Sequence, residues 1–409
     1  MCIRDRLESP HDEALFEYHA TTQLVIADVD SGVRRPVGEP AMYLSVSPSP
    51  DGRHLLVTRL SRPFSYSMPY YSFPHTIEVW DLQGRREHVV AEVPLGENIP
   101  LHGVRTGPRS VAWRADDAAA VFWVEALDGG DPKREVAARD RWLQLTAPFD
   151  GEPTELLKVE HRARSLTFTD TPGLVLASEY DRDRRWSRTW LVNLAIGGEP
   201  RLLEGRSTRD RYGDPGTPVR HRNDRGRRVV LQDGPWIWRT GRGDGPGGAR
   251  PFVDRQNLET LETERLWRCA EGEYESVERV LTGDDGRPAS FITRHESPVA
   301  PPNFRRRRLA DPGPSAPLTT YPDPQPALRG VTRELLTYER EDGVPLSATL
   351  YLPAGYEPGT RLPLMVWAYP LEYNDVSTAG QISGSPHRFV RIGGSSHLFL
   401  LTQGYAVLD

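Results

Sequence analysis

Two serines beside glycines, Ser383 and Ser395, raise the question of acyl-transfer chemistry. A nucleophilic serine on a strand-to-helix elbow carries the spacing Gly-x-Ser-x-Gly. Gly380-Gln-Ile-Ser383-Gly384 and Gly393-Gly-Ser395-Ser-His397 both miss it. His387 and His397, near Phe389 and Phe399, read as loop histidines rather than ligands or bases. His11 and His19 have no carboxylates at ligand spacing, so no metal site is expected. Cys2 and Cys269 are the only cysteines, which excludes a disulfide framework and a cysteine-based zinc site. Nothing in the chain calls for a cofactor.

Recognition chemistry is more visible. Residues 63–74, Pro-Phe-Ser-Tyr-Ser-Met-Pro-Tyr-Tyr-Ser-Phe-Pro, form a loop by their prolines yet hold five aromatics. Packing inside the fold is one reading of this stretch. A wall that contacts a peptide is the other, with Tyr66 and Tyr70 as candidates. Arg59 and Arg62 beside it could attract an acidic side chain. The run Arg305–Arg308 reads as a solvated face or as a partner for carboxylates, because a formal net charge of −6 gives no support to nucleic-acid binding.

The elements that would position these residues are strands. The 409 residues include 37 Pro and 36 Gly, which suits a turn-rich β protein and falls short of disorder. The longest apolar run is seven residues, 118–124, so no membrane-spanning helix is expected. From Leu24 to Leu328 one device recurs: apolar strand, Asp/Gly turn, apolar strand. Its turns centre near residues 51, 116, 172, 225 and 286. Further strands between these hairpins give about four strands per unit. A four-stranded sheet cannot bury both faces alone, whereas radial stacking buries them, and that is a β-propeller. Separate β-sandwiches are the competing architecture; the regular hairpin argues against them.

Residues 296–326 are rich in Pro and Arg with little periodicity, and read as a joint. Beyond it, residues 335–340 and 345–352 alternate around the turn Glu341-Asp342-Gly343. Residues 362–369 then run almost continuously apolar, which predicts a strand buried on both faces. A hairpin feeding such a strand is how an α/β-hydrolase sheet begins. Residues 404–409 read as a further strand.

The segments SVSPSPDGRHLLVTRLSRPFSYSMPYYSFPHTIEVWDL, VFWVEALDGGDPK, RDRWLQLTAPFDGEP, LSATLYLPAGYEPGTRLPLMVWAYPLEY and GSPHRFVRIGGSSHLFLLTQGYAVLD together resemble the prolyl oligopeptidase family of serine peptidases, in its glutamyl endopeptidase-like branch. The resemblance implies a mainly β fold: a β-propeller, seven-bladed in the family and incomplete here, followed by the first strands of an α/β-hydrolase domain. The first six residues, Met-Cys-Ile-Arg-Asp-Arg, do not belong to the pattern that follows, so 1–10 is expected to be artefactual or disordered; the resemblance places a propeller over 11–328 and the start of the peptidase domain over 329–409. It implies proteolysis by a Ser–His–Asp triad, with peptides as substrates and glutamate preferred at the cleaved bond. In the order Ser, Asp, His, all three would follow Asp409, so the chain is expected to be a fragment truncated at both ends and inactive alone. The resemblance also assigns Tyr369, at the end of the apolar run, as a hydroxyl donor to the oxyanion, a contribution of roughly 3 kcal/mol. Pro370 stands where other branches often have glycine. A non-catalytic propeller with a vestigial hydrolase segment is the alternative function; the strand pattern at the C-terminal end argues against it. The sequence leaves open the oligomeric state, and the compartment, whether cytoplasmic or periplasmic.

Overall fold

The computed structural model describes residues 6–368 and 376–409. The chain packs as two units. The first holds the residues up to Glu204 together with His221–Val229; the second holds Gly205–Arg220 and Val230–Asp409.

The first unit opens with a helix that the sequence reading did not anticipate, α1 (Pro10–Ala20). Ser9 caps it, accepting from the Asp12 N–H, and Pro10 occupies the first turn, where its missing N–H is no loss. Three antiparallel sheets follow, each joined strand to strand in chain order: five strands over residues 21–93, four over 109–159 and four over 162–207. Alternation explains how they stack. In the strand Ala120–Ala126, Val121 and Trp123 point one way, onto Leu56, Ile77 and Val79 of the first sheet. Phe122 and Val124 point the other way, onto Leu166, Phe168 and Val175 of the third. The run 118–124 is apolar throughout because both of its faces meet another sheet. Each such side chain contributes about 1.5–3 kcal/mol through burial.

The recurrent turns converge. Asp51 N–H donates to Ala118 O at 3.0 Å, and Gly173 N–H to the Asp116 carboxylate at 2.8 Å. The predicted hairpin at 223–226 forms, with Asn223 N–H donating to Arg227 O at 2.9 Å. Its strands Arg220–Arg222 and Arg228–Val230, however, make a separate two-stranded ribbon instead of joining a larger sheet. The ribbon binds turns of all three sheets of its unit. Asn223 Nδ2 donates to Ala115 O at 3.0 Å, Arg227 donates to Pro48 O, and His221 Nε2 lies 2.7 Å from the Asp170 carboxylate.

The second unit begins with a five-stranded sheet over residues 217–268 and a four-stranded sheet over 274–317. They share a core of Leu231, Trp238, Val253, Trp267 and Phe291. Part of the expected joint is strand: Asn303–Arg308 pairs with Pro288–Glu296. Period two explains why it reads as irregular. Alternate arginines of the run point opposite ways, and Arg307 turns inward onto the buried Glu275 carboxylate at 2.7 Å.

The last sheet confirms the predicted hairpin, Thr332–Glu339 against Pro345–Leu352, with Gly343 at φ 78° in its turn. The predicted C-terminal strand also forms, as Ala406–Leu408, and it lies between Pro345–Leu352 and a parallel Leu364–Val366. The apolar run 362–369 is not the strand buried on both faces that its composition predicts. Among its described residues only Leu364–Val366 is strand, it forms one edge of the sheet, and Leu364 and Val366 are 54% and 59% exposed. Continuous apolarity reports what a strand needs to be covered by, and among the described residues nothing lies on this edge.

Candidate functional site

Tyr369 lies outside the described residues, so its oxyanion role has no geometry here. Its neighbour Trp367 stacks on His397, with ring centroids 4.9 Å apart and planes 11° apart. His397 Nε2 is 3.5 Å from the Asp409 carboxylate. Ser383 and Ser395 are exposed, and neither has a histidine within hydrogen-bonding distance among the described residues. No group of three or more metal-ligating side chains forms among those residues. A groove of about 430 Å³ is lined by Leu157, Glu160, Arg188 and Trp190. Two of its polar groups are engaged within the protein: Arg188 pairs with Glu160 at 2.7 Å, and Trp190 Nε1 donates to Glu179 at 2.9 Å.

The aromatic loop at 63–74 fits both sequence readings at once, residue by residue. Phe64 and Phe73 are buried against Phe16 of α1, edge to face at 5.2 and 5.8 Å. Tyr66, Tyr70 and Tyr71 are 44%, 52% and 57% exposed. The loop is held from two sides. Arg62 pairs with Glu13 and Glu17 of α1, at 2.6 and 2.8 Å. Ser65 Oγ donates to Glu97 at 2.6 Å, and Leu95 packs on the buried phenylalanines.

The arginines singled out from the sequence are therefore committed elsewhere. Arg62 serves the helix. Arg59 makes two bonds to the fully buried Glu78, at 3.0 and 2.9 Å, and lies over the Trp80 ring. Neither is available to an acidic ligand without giving up a carboxylate.

A third arginine is available. Arg105 lies in the connection between the first and second sheets, in Gly103-Val-Arg105-Thr-Gly107. Its backbone is fixed by a tight contact. Val104 N–H donates to Gly130 O at 3.0 Å, and at Gly130 (φ 81°) a Cβ would sit 2.0 Å from Val104 O. Burial, and then the Arg109 charge, pushes the Arg105 pKa down. The adjacent acids are saturated. Asp140 is fully buried and takes Arg109 at 2.6 Å and Arg162 at 2.7 Å. Asp128 takes Arg162 and Arg139 at 2.5 and 3.0 Å, and the Gly130 N–H at 2.9 Å. Burial pushes the Asp128 carboxyl up, but those donors outweigh it and hold it low. His75, the residue after the aromatic loop, donates from Nδ1 to Phe73 O at 2.8 Å. Burial pushes its pKa down, the bond to Phe73 opposes this, and Arg105 adds to the fall. Sequence reasoning passed over Arg105 because nothing local distinguishes it from the other arginines. Among the described residues it shares the lack of an ion pair with exposed arginines such as Arg308 and Arg361; its partial burial sets it apart from those two, and only the fold reveals that.

No family model matches the chain. It is 36% identical over 425 residues to a rice (Oryza sativa subsp. japonica) protein described as "Probable glutamyl endopeptidase, chloroplastic", covering 100% of this chain and 45% of that protein. The same description belongs to an Arabidopsis thaliana protein, 36% identical over 427 residues, with 100% and 44% covered. The chain thus spans less than half the length of these relatives. Among solved structures, an acylaminoacyl peptidase bound to a chloromethyl ketone superposes with a TM-score of 0.50 at 13% identity, over 96% of this chain and 54% of the other. That likeness concerns the fold alone.

Proposed function

From a chain that is a relative of the glutamyl endopeptidases of the prolyl oligopeptidase family, we propose a serine peptidase whose stacked sheets are propeller blades that restrict access to an α/β-hydrolase active site. Peptide hydrolysis proceeds by acyl transfer: serine attacks the carbonyl, histidine moves the proton and aspartate orients the histidine. No serine of this chain stands at elbow spacing, so the nucleophile belongs to the part of the relatives' length that this chain does not span. The sheet of residues 332–408 supplies the first strands of the hydrolase core. Tyr369 contributes the hydroxyl that meets the oxyanion. Acidic peptides are the substrate class.

The observation that carries this reading is 36% identity sustained over the whole chain. Contacts inside the second unit agree with a lid built onto a hydrolase core. The buried Glu296 of the 274–317 sheet accepts from the Phe389 N–H at 3.1 Å and from Arg388 at 3.4 Å. Asp210 takes the Gln381 side chain at 2.9 Å, and the Tyr212 hydroxyl takes the Ile382 N–H at 2.9 Å. The test uses a fluorogenic Glu-containing peptide and a fluorophosphonate probe. The 409-residue chain is expected to show neither turnover nor labelling, and the product extended to the relatives' length is expected to show both. Labelling of the short chain, or an extended product inert to both reagents, would refute the proposal.

A further inference from the structure

Between the sheets of residues 109–159 and 162–207 the chain has only two residues, Glu160 and His161, and the imidazole of the second is held in a geometry that one proton forbids. Arg188, on the strand Trp186–Asn193, places its Nη2 3.0 Å from His161 Nε2. A guanidinium has donors and no acceptor, so this contact forms only when Nε2 carries a lone pair. The ring is then neutral, with its hydrogen on Nδ1. The His161 backbone is fixed as well, its N–H donating to the buried Glu179 carboxylate at 2.7 Å. Two acids face the same ring nitrogen: Glu160 Oε1 at 3.4 Å, and Asp181 Oδ2, from the strand Leu174–Asp181, at 4.0 Å. Glu160 Oε2 takes Arg188 Nη1 at 2.7 Å. That bond holds the Glu160 carboxyl below its ordinary range against the push of burial, so it stays ionised where a histidine titrates. Asp181 has Arg184 Nε at 4.0 Å, and its other oxygen takes the N–H groups of Asp183 and Arg184 at 3.0 and 3.1 Å. Glu179 takes Trp190 Nε1 at 2.9 Å and Arg188 Nη1 at 3.4 Å.

We propose that His161 is a proton-operated latch at the seam between these two sheets: the neutral ring holds Arg188 in the wall of the groove of about 430 Å³, and the protonated ring releases it. Protonation puts an N–H on Nε2, where the guanidinium already points one, and sets two cations 3.0 Å apart. Like charges at that range repel. The imidazolium is retained by Glu160 and Asp181, and Arg188, on its longer and more flexible stem, gives way. The exchange alters the groove because Arg188, Glu160, Glu179 and Trp190 all line it, with Lys158 and Glu199 as its other charged residues. Withdrawal of Arg188 takes away one of the two cations in that wall. Arg162, the residue after the latch, is tied to Asp128 and Asp140 of the neighbouring sheet at 2.5 and 2.7 Å, so the change stays local to Arg188. One proton thus selects between two discrete sets of bonds, which is how a histidine works as a switch.

The 409-residue chain tests this without catalysis. In nitrogen NMR of histidine-labelled protein, the His161 signals are assigned by their loss in His161→Gln. At about pH 7.5 they should show Nε2 bare and Nδ1 carrying the hydrogen. Hydrogen exchange read by mass spectrometry, corrected for its intrinsic pH dependence, is then compared at about pH 7.5 and about pH 5.5, on either side of the histidine range. Loss of the Arg188 bonds predicts about 3- to 10-fold faster exchange over residues 186–193 in the acid sample. His161→Gln offers Arg188 a neutral carbonyl at either pH and should abolish the difference. His161→Lys fixes a cation there and should give the fast rate already at the higher pH. Arg188→Gln should be fast at both, and the exposed control His11→Gln should keep the wild-type response. Circular dichroism confirms that each variant is folded. A hydrogen on Nε2 in the neutral sample, exchange over 186–193 that ignores pH, a response that survives His161→Gln or is lost with His11→Gln, or a His161→Lys protein as slow as the wild type would each overturn the latch.

Discussion

Glu275 and Arg307 join two strands of one sheet through a pair that water barely reaches, so replacing Glu275 by Ala isolates the value of a stranded charge. Glu275 is 2% exposed. Its carboxylate takes Arg307 Nε at 2.9 Å and Nη2 at 2.7 Å, and also the Thr293 hydroxyl. The remaining Arg307 Nη1 donates to the carbonyls of Pro312 and Gly313 at 2.7 and 2.6 Å. Those carbonyls hold the guanidinium in place when its counter-ion is gone. Breaking a buried pair from one side costs about 3–5 kcal/mol. The Thr293 hydroxyl keeps the Arg305 carbonyl at 3.5 Å as an acceptor, so its lost bond falls within that range. The double replacement Glu275→Leu with Arg307→Met removes both charges. It should recover most of the loss and fall short by only about 1–2 kcal/mol, for the two carbonyls left without a donor. Urea denaturation read by tryptophan emission measures this, because Trp267 sits under Arg307 at 5.5 Å and against Phe291 at 5.4 Å. Hydrogen exchange over residues 263–317 locates the effect. A single variant losing less than about 1 kcal/mol, or a double variant no better than the single, would show that the charge is rehydrated in place and that the reasoning fails.

The same carboxylate sets a pH dependence. Burial pushes Glu275 up, but Arg307 and Thr293 outweigh it and hold its pKa below the ordinary 4.5. A depressed folded value means the contribution is complete above the unfolded pKa and is lost as pH falls through the folded one. Stability should therefore decline in acid below about pH 4.5, and Glu275→Gln should flatten that slope in a pH series of urea midpoints. Gly130→Ala places a methyl against Val104 O and should destabilise the unit by about 1–3 kcal/mol, with faster hydrogen exchange over residues 95–109. Cys269 is fully buried, and burial pushes its thiol up to about 11, so a disulfide reagent should label it only in step with unfolding, measured in a Cys2→Ser background. In the extended product, Tyr369→Phe should lower kcat about 10²–10³-fold with little change in KM.

The hairpins were legible because their turns carry local chemistry. Asp51-Gly52, Asn223 to Gly226, Asp285-Gly286 and Asp342-Gly343 each bend where the residue types require it, with φ of 70°, 71°, 77° and 78° at the glycines. The helix α1 was available to reading too, in Ser9-Pro10 and the Asp12 that closes its first turn, but it lies before the β pattern and was passed over. What could not be read was partnership. Arg59, Arg62 and Arg105 are alike in sequence. Their roles follow from Glu78, Glu13 and Glu17, and from no acid at all, and these lie up to 49 positions away along the chain. The edge position of Leu364–Val366 is hidden for the same reason. A strand's own residues give its appetite for cover, while its exposure depends on which other strands arrive.

The 221–229 ribbon bears on the order in which the first unit can assemble during synthesis. Its contacts to Ala115 and Pro48 span 108 and 179 residues of chain. Three sheets must therefore emerge before a segment made much later returns to add these bonds across their turns. Closing such long loops is the slow part of reaching a native β topology. A ribosome pause placed before this ribbon has left the exit tunnel would prolong the interval in which the turns lack it, and a pause after it has emerged would not.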